Sequence, residues 1–137
     1  MTKSREEGYY RCIMRKIHSL LSPRTTAFVS DFHANIITHI EKTIAEERVV
    51  VVGMAWNPVV KKAQKLLNKE NIPYTYLEYG SYISQWKERL AIKLWSGWPT
   101  FPQIFINQML IGGASDLEAA LESGELRSWL EGAPAHE

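Results

Sequence analysis

Four consecutive valines, Val49 to Val52, constrain this chain more than any other feature. A strand with one face in water alternates polar and apolar side chains. An unbroken β-branched run marks a strand buried on both faces, with further layers packed against each. A helix start follows closely. Asn57 suits an N-cap, because its carbonyl oxygen can accept from the N–H two or three residues on, and Pro58 suits the first helical position. The helix is predicted to run to about Lys69 with Ala63, Leu66 and Leu67 facing inward, until Asn71-Ile72-Pro73 breaks it. Tyr74 to Glu78 then alternates as a second strand. Such a strand–helix–strand unit makes a parallel pair with a right-handed crossover.

Downstream, Ser84 to Leu94 is predicted as a helix capped by Ser84, and Phe101–Ile106 and Met109–Ile111 as a hairpin turning at Asn107-Gln108. Helices over Ser115–Ser123 and Glu125–Leu130 follow, separated by Gly124. Upstream, one helical pattern runs through Phe28, Phe32, Ile36, Ile40 and Ile44, ending near Glu46. The predicted order α, β, α, β, α, β, β, α, α gives an α/β thioredoxin-like fold: a four-stranded mixed sheet flanked by helices, with an N-terminal helical extension.

The chain has 137 residues, enough for one domain with a substantial core, and its net charge of +1 gives no reason to expect nucleic acid as a partner. The charge is uneven. Six basic residues face two acids through Arg24, leaving ten against thirteen beyond it. With Ser22-Pro23 as punctuation, this predicts a basic extension over residues 1–25 and a domain over 26–137. Within the extension, Tyr10, Ile13, Met14, Ile17, Leu20 and Leu21 fall at helical spacing. A short helix packing on the domain is the first reading; a membrane-surface or partner-docking helix is the second. Glu6 and Glu7 count against an organellar targeting segment without excluding one, and the expected location is the cytoplasm. No run approaches the length of a membrane span. The single cysteine, Cys12, excludes a disulfide framework and a Cys-rich metal site, and fits a reducing compartment. His18, His33, His39 and His136 show no metal-ligand spacing.

Three stretches carry a resemblance: Val49–Leu67; Ser96-Gly97-Trp98-Pro99-Thr100-Phe101-Pro102-Gln103; and Gly112-Gly113-Ala114-Ser115-Asp116. Together, over about residues 34–131, the chain resembles the glutaredoxins, the glutathione-dependent branch of the thioredoxin fold. The second stretch, with Arg89 and Ile92-Lys93 ahead of it, is similar to the monothiol class, whereas the short Ala55-Trp56-Asn57-Pro58 turn resembles the dithiol class. The family places one or two cysteines on that turn, where unpaired N–H groups and the helix dipole stabilise a thiolate. Here Asn57 and Val60 occupy the positions of those cysteines. Asparagine caps a helix but cannot attack a disulfide, so no catalytic residue is expected. Cys12 lies far upstream, and nothing in its neighbourhood selects it as a nucleophile.

The resemblance also implies a ligand groove. Thr100 lies in the signature stretch, and Phe101-Pro102 matches the cis-proline position, where a peptide-like ligand pairs with the backbone of Phe101. Gly113, Ala114, Ser115 and Asp116 match the loop that holds the γ-glutamyl end, and Arg89 and Lys93 would meet the glycine carboxylate. Each has a plainer reading: Ser115 and Asp116 as helix-start residues, Arg89 and Lys93 as a solvated face, Gly112-Gly113 as a turn. Met54 replaces a usual lysine, and losing one charged contact costs about 1.5–3 kcal/mol, so glutathione is expected to bind weakly. Without a thiolate at residue 57, an iron–sulfur cluster is not expected. Met54, Trp56, Val59, Val60, Trp98 and Phe101 suggest an apolar patch for a peptide or protein, or one covered by the N-terminal segment. The expected function is a glutathione- or peptide-binding, non-catalytic or regulatory module. The alternative is a glutathione-dependent thiol–disulfide oxidoreductase using Cys12 or bound glutathione, and a third is a partner of an active thioredoxin-fold protein.

Overall fold

The computed structural model describes residues 16–132, and the chain divides between Phe32 and His33 into two units. In the first unit, residues 16–22 carry no regular structure, and Ile17 and Leu20 are exposed. The helix predicted over 9–21 is thus missing from its described part; residues 9–15 lie outside the described residues. The cause is local. Ser22, at φ −67° and ψ 160°, adopts the extended backbone favoured before a proline. Ser22-Pro23 is a helix start as well as punctuation: the Ser22 hydroxyl accepts from the Thr25 N–H at 3.1 Å, and Pro23 opens α1 (Pro23–Asp31). Residues 25 and 26, the predicted boundary, lie within α1. No α1 side chain is buried, and the rings of Phe28 and Phe32 stack at 5.7 Å.

The second unit opens with α2 (Ala34–Glu46), so the single helix predicted from Phe28 to Glu46 is two. Phe32 is extended, and His33 is left-handed at φ 50°, its carbonyl accepting from the Ile36 and Ile37 N–H groups. A strict four-residue apolar spacing turns about 40° per step around an α-helix. Phe28 and Ile44 could therefore never share one face, and the pattern spans a break without resisting it. Then come β1 (Val49–Gly53), α3 (Pro58–Lys69), β2 (Thr75–Glu78), α4 (Trp86–Ser96), β3 (Gln103–Ile106), β4 (Met109–Gly112), α5 (Ala114–Ser123) and α6 (Glu125–Glu131).

The strands form one sheet in the order β2-β1-β3-β4. β1 runs parallel to β2, pairing Val51 with Tyr76, and antiparallel to β3, pairing Val51 with Ile104. β3 and β4 are joined at Asn107-Gln108, whose positive φ values of 47° and 74° are those of a two-residue hairpin turn matched to strand twist. All five β1 residues are buried, as the valine run requires. Val49, Val51, Ile104 and Ile106 pack on one face with Ala63, Leu67, Leu117, Ala120 and Leu126, under α3, α5 and α6. Val50, Val52 and Phe105 pack on the other with Ile40 and Ile92, under α2 and α4. α4 begins two residues later than predicted. Its N-cap is Gln85, while the Ser84 hydroxyl accepts from the Ser81 N–H at 3.0 Å and caps no helix.

Candidate functional site

The site gathers where β1 ends. Gly53 is needed there: a Cβ on it would lie 2.9 Å from both Tyr76 Cε1 and Val60 Cγ1. The chain then turns through Met54, Ala55 and Trp56 (φ 62°) into α3, with the Ala55 N–H donating to the Gly80 carbonyl at 2.7 Å. The Asn57 Oδ1 accepts from the N–H groups of Val59 at 2.8 Å and Val60 at 3.0 Å, and Pro58 fills the first helical turn. The donors that open a helix are thus engaged by a neutral amide. Val60 is fully buried beneath this turn, and Val59 is exposed.

Beside the turn lies the Trp98–Gln103 loop, whose Phe101–Pro102 peptide bond is cis. Its anchor is Gln103, fully buried at the start of β3, whose Nε2 donates to the carbonyls of Trp98 at 2.9 Å and Thr100 at 3.3 Å. The Phe101 ring is buried in the same cluster as Met54 and Val60, and the Lys93 ammonium lies 5.8 Å from its centroid. On the other side is Gly113. A Cβ on it would meet the Pro102 carbonyl at 3.5 Å and Trp98 Nε1 at 3.7 Å. Trp98 Nε1 is buried without a hydrogen-bond partner. Ala114 is buried, while Ser115 and Asp116 are exposed in the first turn of α5. The Asp116 carboxylate turns back to accept from the Gly113 N–H at 2.9 Å.

The structure therefore brings Lys93, Thr100, Phe101, Pro102 and Gly113 together, with Ser115 and Asp116 on the adjoining helix turn. Arg89 departs from the solvated-face reading. It is buried, not solvated, and its guanidinium donates to the carbonyls of Tyr79 at 2.9 Å and Ser84 at 2.6 Å. The expected apolar patch also shrinks. Met54, Val60 and Phe101 belong to the core, Trp98 is half-buried, and Trp56 and Val59 remain exposed. The roles of Gln103 and Tyr76 were missed. A lone glutamine opening an apolar strand was the available signal for the first. The Tyr76 hydroxyl donates to Glu78 Oε1 at 3.1 Å and reaches the Met54 carbonyl at 3.4 Å; burial first, and the Glu78 carboxylate second, push its ionisation well above the usual tyrosine range. Burial also raises Tyr79. Among the described residues, no group of three or more His, Cys, Asp or Glu is placed to hold a metal, and no helix is long and apolar enough to cross a membrane.

Comparison with known proteins converges on one family. The glutaredoxin family model matches residues 49–111. A glutaredoxin-like protein of Dictyostelium discoideum is 43% identical over 112 residues, covering 82% of this chain and 91% of that protein. Among solved structures, oxidized glutaredoxin 2 of Chlamydomonas reinhardtii superposes with a TM-score of 0.63 at 29% identity, over 72% of this chain and 92% of its own. A buckwheat glutaredoxin–glutathione complex shares the fold with a TM-score of 0.64 at 20% identity, over 71% and 88%. Sequence similarity that spans nearly the whole of the Dictyostelium protein, on a sheet and helix order shared with solved glutaredoxins, makes this chain a member of the glutaredoxin family.

Proposed function

We propose that this glutaredoxin-family chain is a binding module that takes glutathione, a thiol peptide or a protein segment along Phe101 and performs no thiol–disulfide exchange at its α3 turn. The observation that carries this reading is the Asn57 cap: its amide oxygen engages the two N–H groups that would otherwise favour a thiolate. Support for the ligand comes from Lys93 beside Phe101 and the exposed Ser115 at the start of α5. Asp116 would accept from the ligand's ammonium while keeping its bond to Gly113. Arg89 contributes as a structural tie, which leaves Lys93 as the cation for the far carboxylate. Asn57, Pro58, Val59 and Val60 supply no thiolate, so a cluster ligand set is not part of the proposal.

Titrating glutathione while following the amides of Phe101, Gly113 and Ser115 tests the ligand. Shifts confined to those residues with millimolar affinity are expected, and no shifts at about 10 mM would remove glutathione in favour of a peptide or protein. Disulfide reduction with glutathione tests the chemistry. Turnover that disappears in Cys12→Ser would establish the oxidoreductase alternative, although Cys12 lies outside the described residues.

A further inference from the structure

We propose that the lysine-lined face of α3 is a docking surface for an acidic polypeptide segment. α3 carries four lysines and no acid across Pro58–Lys69, although the whole chain is nearly neutral at +1. Lys61, Lys65 and Lys69 recur every four residues, and all are exposed. With Lys62 they surround a shallow, open groove along the helix surface, roughly 380 Å³, lined also by the apolar Pro58 and Leu66. Lys62 pairs with Glu118 of α5 at 3.2 Å; among the described residues, Lys61, Lys65 and Lys69 make no ion pair. An exposed row of like charges raises the free energy of the helix that carries it, and only Lys62 of the four is ion-paired among the described residues.

Charge complementarity specifies the occupant. The helix is about 18 Å long, enough for a short acidic segment to set carboxylates over Lys61, Lys65 and Lys69 while an apolar side chain seats on Leu66 and Pro58. A nucleic acid fits less well. The groove offers no aromatic side chain on which bases could stack. The surface begins one residue after the Asn57 cap, so a segment seated there lies against the turn where the family keeps its cysteine. The inference does not rest on glutathione binding, because none of these lysines belongs to that groove.

The test uses the full chain and a synthetic amphipathic peptide with glutamates every four residues and leucines beside them. Controls are its lysine counterpart and single- and double-stranded oligonucleotides. The expected result is peptide-induced shifts at the amides of Lys61, Lys65, Leu66 and Lys69, weakening as salt is raised. The triple variant Lys61→Glu/Lys65→Glu/Lys69→Glu should bind at least about tenfold more weakly, and the triple glutamine variant should fall between. Glutathione-induced shifts, where present, should be unchanged in both, which separates this surface from the Phe101 groove. Absence of α3 shifts at about 1 mM peptide, equal binding of the lysine peptide or unchanged affinity in the charge-reversed protein would each overturn the proposal. Tighter binding of an oligonucleotide would assign the face to nucleic acid instead.

Discussion

Asn57 shows how much one residue can declare about its own surroundings. Its cap is a contact between a side chain and the backbone two and three residues on, so no knowledge of the remaining fold was needed to predict it. Replacing Asn57 with alanine should destabilise the protein by about 1 kcal/mol in urea unfolding, whereas aspartate, an equal capper, should leave the midpoint nearly unchanged. Asn57→Cys gives up the same cap, so stability should fall while the new thiol gains the N–H groups that asparagine now occupies. A thiol titrating well below its free value of about 8.5 is expected if the turn still favours a thiolate. Tyr76 makes a second prediction at this scale. Its folded pKa lies above the unfolded value of about 10, so the folded chain holds a proton that the unfolded chain releases. Its contribution to stability is complete below that pH and is lost as pH rises through and beyond it. Unfolding measured from pH 9 to 11 should show the wild type losing stability more steeply than Tyr76→Phe. Tyr76's contact with the Met54 carbonyl escaped prediction because it forms only through the β1–β2 pairing, whereas Glu78 lies two residues on along the same strand.

At the scale of elements, the strands were largely legible and the entry to α4 was not. The valine run and the hairpin residues are local signals, whereas α4 is positioned by a loop that folds back on itself. Gly80 sits at φ +73°, where a Cβ would come within 2.4 Å of the Ser84 carbonyl, and Gln85 is left-handed at φ 55°. Arg89 reaches back from the first turn of α4 to hold this loop by the Tyr79 and Ser84 carbonyls. A pattern of residue types cannot reveal a bond whose acceptor is backbone. The same side chain therefore read as a ligand contact or a solvated charge. Arg89→Leu should cost about 1.5–3 kcal/mol in unfolding free energy, since it orphans both carbonyls while keeping the apolar volume. The β4–α5 junction is the second such element. Gly112 has φ +116°, and a Cβ there would meet Asp116 Oδ2 at 2.4 Å, displacing the carboxylate from the Gly113 N–H. Gly112→Ala should therefore destabilise by about 1 kcal/mol or more, and should move the Ser115 and Asp116 amides in a spectrum where the β1 amides stay fixed.

For the molecule as a whole, the consequential arrangement is that β1 serves two cores at once. Val49 and Val51 belong to the cluster under α3, α5 and α6, and Val50 and Val52 to the cluster under α2 and α4. Neither layer can leave the sheet without exposing alternate side chains of the same strand, so the two cores should melt together. This coupling also explains why the fold class could be read early and the site only in part. A strand buried on both faces demands helices on both, but the placement of Lys93, Gln103 and Gly113 around Phe101 depends on how those helices pack. Leu117→Ala removes a fully buried side chain from the first cluster and Ile92→Ala one from the second. Each should cost about 2–5 kcal/mol. If the strand couples them, both variants lower a single denaturation midpoint without changing its slope, and tryptophan fluorescence and far-ultraviolet circular dichroism trace one curve. Separate transitions in either variant, with one probe preceding the other, would mean that each helical layer melts off the sheet independently.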